Sequence, residues 1–151
     1  MYFHATFISN VRGIMEQGLL KGAKRIWDVS GTNYIYLSDE PDDAVDWMVY
    51  WYDYKFYEAA MLNDDGFLVT ERPANEELLK ILQTVPMIND GVVVFAVDTT
   101  GMKVKPRYDM SEDKPADYVV RKNIPPDRLK IVGYIYPEDI QKRVKKNWNL
   151  D

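Results

Sequence analysis

The chain contains no cysteine and a single histidine, His4. Without cysteine there is no disulfide framework, no thiolate nucleophile and no cysteine-ligated zinc. One imidazole leaves only carboxylate clusters such as "DEPDD" and "NDD" for a metal, and these suit a hard cation poorly. No metal is expected. No apolar stretch approaches the ~18 residues that read as a membrane span, and no basic-then-apolar leader opens the chain. A cytoplasmic protein with no membrane partner is the expectation. The glycine-rich phosphate loops are missing as well: no GxGxxG follows the first strand pattern, and GxxxxGK[ST] does not occur. A Ser–His–Asp triad assembled around His4 would lack the nucleophile-elbow sequence that such triads need.

Basic charge is also in short supply. Lys and Arg number 19 against 24 Asp and Glu, a formal net charge of −5. That balance argues against bulk binding to nucleic acid, whose affinity comes from neutralised phosphates. The imbalance is uneven. Nine acidic residues face only Lys55 between Ser38 and Asp65, whereas eight basic residues face three acidic ones between Arg121 and Lys146. Two solvated faces of opposite sign are the simplest reading, and the basic end leaves room for a local polyanion contact.

What the chain does have is length, apolar residues and aromatic rings. Its 151 residues, 46% hydrophobic and 28% charged, suit one globular domain over 1–151 with a proper core. Eleven Tyr and four Trp are present, many of them in "WMVYWYDYKFY". These rings are expected in the core or on an interaction surface, not around a cofactor.

Periodicity predicts a mixed α+β order. "YFHATF" alternates as a strand, and "SN" offers two N-caps for a helix whose stripe is Val11, Ile14, Met15 and Leu19, with Gly18 as its stop. "YIYLS" is a second strand, on which Tyr34 and Tyr36 share a face by the period-2 rule. Ser38 or Asp39 can cap the next helix, which takes Pro41 into its first turn and runs to about Met61. "FLVT" is a short possible strand. "ANEELLKILQTV" is an amphipathic helix with Asn75 as cap, and "GVVVFAV" is a strand whose unbroken apolar run implies burial on both faces. "YVV" and "LKIVGYIY" are strands separated by "NIPPDR", whose prolines cannot donate to a ladder. A basic helix, "PEDIQKRVKKNW", closes the chain. Helices between early strands, followed by mostly strands, fit α+β better than a doubly wound repeat.

The order of these pieces resembles the ADP-ribosyltransferase-like fold, which includes RNA 2′-phosphotransferases, DarT-like toxins and poly(ADP-ribose) polymerases. The likeness lies in His-x-Thr on the first strand, a helix ending in "GLL", a loop with a basic residue, and "IYLSD" leading into a helix. "VVVFAVDTTGMKV" and "DYVVRKNIPPDRLKIVGYI" continue it, so that it covers nearly the whole chain. It implies a split β-sheet with flanking helices, with NAD as substrate and no metal.

The resemblance also assigns roles. His4 would hydrogen-bond a ribose of NAD, and the backbone at Ala5 would hold the nicotinamide amide. The family usually has glycine where Ala5 stands, and the added methyl narrows the ligand's approach. Thr6 fills the small hydroxyl position. Tyr36 would stack on nicotinamide, with Tyr34 beside it and Ser38 just beyond, and Arg25 matches a basic residue able to meet a pyrophosphate or 2′-phosphate. The catalytic acid, Glu in family transferases, aligns with Asp117, with Glu112 in the preceding loop as the alternative. Bonded to the ribose 2′-OH, it would offset positive charge as the nicotinamide–ribose bond breaks. The expected function is NAD-dependent mono-ADP-ribosylation of a protein or nucleic-acid acceptor, as a bacterial toxin or phage effector would perform it. The alternatives are a catalytically silent nucleotide- or partner-binding module, and an RNA 2′-phosphotransferase. Against the last stand the single histidine and the missing winged-helix portion.

Overall fold

The apolar run "VVVFAV" organises the molecule. In the computed structural model, which describes residues 1–21, 33–108 and 113–151, the order is β1 (Tyr2–Phe7), α1 (Val11–Gln17), β2 (Ile35–Leu37), α2 (Pro41–Met61), α3 (Asn75–Leu82), β3 (Val92–Val97), β4 (Lys105–Tyr108), β5 (Pro115–Val120), β6 (Leu129–Ile135) and α4 (Pro137–Asn147). Short 3₁₀ turns lie at Ile8–Asn10 and Pro126–Arg128. The described residues form an α+β structure with two antiparallel sheets of three strands, ordered β1-β3-β6 and β2-β5-β4.

All six residues of β3 are buried, because each of its faces meets a different core. Val92 and Val94 pack with Met48, Tyr52 and Phe56 of α2, Leu78 and Leu82 of α3, and Ile140 and Val144 of α4. Val93, Phe95 and Val97 pack with Ile35 and Leu37 of β2 and Val120 of β5. The layers are therefore helices, first sheet, second sheet. An antiparallel sheet covered on both sides needs a continuous apolar central strand, and "VVVFAV" supplies it.

Beyond this packing, one isolated backbone bridge joins the edges of the two sheets, between Phe3 of β1 and Ser38 just after β2. The Phe3 N–H donates to the Ser38 carbonyl at 2.7 Å, and the Ser38 N–H returns the bond to Phe3 at 2.9 Å. No other pairing joins β1 to β2 among the described residues.

Local signals explain most element ends. Pro41 opens α2 at its first helical position, with Asp42 and Asp43 in the first turn, where acids complement the helix dipole. Gly18 ends α1 at φ 82°, and a Cβ there would collide with the Ile124 carbonyl oxygen. That close approach lets Leu19 pair with Ile124.

Several expectations about ends are corrected. Glu40, not Ser38 or Asp39, precedes α2, and it makes no side-chain cap; Ser38 is buried, with its backbone bonded to Phe3. Ala74 precedes α3, while Asn75 instead accepts a hydrogen bond from Arg72 at 3.1 Å. Asn10 stands at the α1 cap position without capping, since its amide donates to Thr6 Oγ1 at 3.1 Å. The α1 stripe is shorter than expected: Leu19 lies beyond the helix and Met15 is exposed. "FLVT" forms no strand, only a Leu62–Leu68 bridge with Phe67 and Leu68 left exposed. Among the described residues, no helix is long and apolar enough to cross a membrane.

Candidate functional site

Where β1 and β2 part, a cleft of about 150 Å³ opens. Cavities of about that size accept a benzene-sized ring. One wall is His4 and Ala5 of β1, the other Tyr36 and Ser38 at β2, and the floor is Ala44, Trp47 and Met48 of α2. Arg107 of β4 and Asp117 of β5 close the far side.

The split positions the first wall. In an extended strand, alternate residues send their peptide groups to the same edge. Phe3 bonds across to Ser38, so the N–H and C=O of Ala5 turn to that edge too, at the point where pairing has stopped. His4 Nδ1 lies 3.0 Å from the Tyr36 carbonyl oxygen. A carbonyl only accepts, so this bond assigns a proton to Nδ1. The same bond ties β1 to β2 beside the cleft.

The far side is set by the β4–β5 ladder, in which Arg107 stands opposite Asp117. Arg107 Nε and Nη2 donate to Asp117 Oδ1 and Oδ2, each at 2.7 Å. The Asp117 side chain is 6% exposed and that of Arg107 is 48% exposed. A buried carboxylate is tolerated only when paired, and a two-pronged guanidinium contact is the strongest pairing available. The same guanidinium lies over the Tyr36 ring, 4.5 Å from its centroid, within cation–π range. Arg107 therefore covers both the ring face of Tyr36 and the two oxygens of Asp117.

Five residues singled out in the sequence meet here: His4, Ala5, Tyr36, Ser38 and Asp117. Thr6 and Tyr34 do not line the cleft. Thr6 is buried and accepts the Asn10 amide. Tyr34 sits with its ring 6.4 Å from that of Tyr36 and takes a hydrogen bond from Arg121 at 3.0 Å. Arg25 and Glu112 lie outside the described residues. Sequence reasoning named neither Arg107 nor Trp47 as a site residue. The signal for Arg107 was available in "VKPRY", where cations alternate with apolar residues as on a strand and Pro106 marks an edge position.

Among the described residues, no group of three or more His, Asp or Glu side chains could hold a metal ion. Comparison with family models, with curated proteins and with solved structures gives no match to this chain.

Proposed function

We propose that the chain is an NAD-dependent mono-ADP-ribosyltransferase on an ADP-ribosyltransferase-like split sheet. The observation that supports this most is the meeting of His4, Tyr36 and Asp117, from three strands far apart in sequence, around one ring-sized cleft between two sheets. A planar cation already rests there, since the Arg107 guanidinium lies on Tyr36 and Asp117. The oxidised nicotinamide ring is a planar cation too, so the residues fit it.

On this reading each side chain has one task. Tyr36 would stack on the nicotinamide ring, and the Ala5 peptide edge would hold its carboxamide. His4 would hydrogen-bond a ribose hydroxyl, its ring oriented by the Tyr36 carbonyl. Asp117 would bond the ribose 2′-OH and offset the positive charge that grows at the anomeric carbon as the glycosidic bond breaks. The acceptor would be a protein side chain or a nucleic-acid base, and the setting a bacterial cytoplasm attacked by a toxin or a phage effector.

One observation favours a second reading, a binding module without catalysis: both Asp117 oxygens already accept from Arg107, which competes with a ribose hydroxyl for them. Nicotinamide release from NAD separates the two. A transferase releases it, and Asp117→Ala lowers the rate by roughly 10²–10³-fold, the scale of losing one charge-stabilising group, with Tyr36→Ala also impaired. Binding of NAD or ADP-ribose without any release would establish the module instead.

A further inference from the structure

We infer that Arg107 is a specificity-determining residue of this cleft: it holds the place of a planar cation, so that only a ligand carrying its own cation displaces it. The inference rests on the reading of the cleft as a nicotinamide site and names how that site chooses its ligand.

The geometry is that of a bound ligand supplied by the chain itself. A flat, delocalised cation lies 4.5 Å over the Tyr36 ring and closes two hydrogen bonds of 2.7 Å on a carboxylate that is almost wholly buried. A pair serving only to close the β4–β5 hairpin would not need the Tyr36 face as well. With its side chain 48% exposed, Arg107 reaches water by rotating about its own side-chain bonds, whereas Asp117 cannot follow it.

That asymmetry sets the selection. If a neutral ring displaced Arg107, Asp117 would be left charged, buried and without a cation, which is costly. A pyridinium entering the same space restores the charge balance as Arg107 leaves. The exchange is neutral for one ligand class and penalised for the other, the usual way in which a built-in competitor makes specificity. The oxidised dinucleotide is thereby favoured over the reduced one, whose nicotinamide ring is uncharged. The released guanidinium stays at the cleft mouth, where it can meet a phosphate.

The test is calorimetric binding of two probes to the full chain, the 1-methylnicotinamide cation and neutral nicotinamide. Wild type is expected to prefer the cation. Arg107→Gln, whose amide still reaches Asp117, is expected to tighten cation binding by between about 10- and 1,000-fold, the gain when an open form populated at 0.1–10% becomes dominant. Nicotinamide binding should change far less, and Asp117→Asn should erase the preference for charge. Arg107→Lys keeps the charge but loses the flat two-pronged contact, so it should tighten cation binding by less than the Gln variant. It carries the test if that variant does not fold. The inference is overturned if the Arg107 variants bind the cation no more tightly than wild type, or tighten both probes equally. NAD turnover is read separately: release of nicotinamide with unchanged probe affinities sinks this inference alone, whereas probe behaviour as expected with no turnover sinks only the transferase reading.

Discussion

β3 and β4 belong to different sheets of the same small protein and share almost nothing. The six residues of β3 are all buried, while the four of β4 are all exposed. The first sheet is clad by α2, α3 and α4 on one side and by the second sheet on the other. The second sheet gives its inner face to that core through Ile35, Leu37 and Val120 and carries Tyr36, Arg107 and Asp117 at the cleft. Stability and chemistry are thus divided unevenly between the sheets. The first gives only the β1 edge, His4 and Ala5, to the cleft, and the second can hold a buried charge because the first supplies the apolar area.

The largest effect should come from the centre of the first sheet. Phe95→Ala empties a fully buried site and is expected to cost about 3–5 kcal/mol, read as a lower urea midpoint. Tyr36→Ala, on the half-buried wall of the cleft, should cost clearly less; equal losses would break the division.

Next comes the ion pair, whose two halves should not be equivalent. Arg107→Ala strands a buried carboxylate and is expected to cost about 3 kcal/mol. Asp117→Ala leaves a guanidinium that can turn to water and should cost about 1–2 kcal/mol. Thermal melts of the two variants under one set of conditions rank them, and the reverse order would mean that Arg107 is the confined partner.

A smaller loss is expected where the sheets touch. His4→Ala removes the bond to the Tyr36 carbonyl, a change of about 1 kcal/mol. Amide exchange at Phe3 and Ser38 should speed up while that of β3 does not.

The smallest effect lies in the helical layer. Burial pushes the Asp53 carboxyl above its ordinary value, against the opposing bond from Asn147. Between the ordinary and the raised value the folded state holds more protons than the unfolded one. Stability therefore falls as pH rises through that window, and the deficit persists at neutral pH. Asp53→Asn should raise the melting temperature at pH 7, and the gain should shrink as the pH drops through the carboxylate range. A gain independent of pH would show that charge is not its cause.

Legibility followed the same division. α2 could be read from Pro41 at its start and an uninterrupted run to Met61, and β3 from its apolar stretch, because burial and periodicity are local properties of the chain. β4 escaped notice because Pro106 and two cations argue against a strand until an edge position is considered. The helix caps at Asn10 and Asn75 differ from expectation because each side chain found a neighbouring partner first, and Ser38 because its backbone is held in the bridge to Phe3. His4, Tyr36 and Asp117 were nominated by the order of motifs. Arg107 had no motif, and its role depends on standing opposite Asp117 in the β4–β5 ladder.

The amino-acid sequence alone determined the mixed class, the central apolar strand, the long second helix and the exclusion of cysteine chemistry, since composition and spacing are enough for each. Only the tertiary structure decided that one imidazole, one tyrosine and one aspartate share a cleft, and that an arginine lies across the last two. Contacts between strands depend on register and on where two sheets part, and neither quantity is carried by any short stretch of residues.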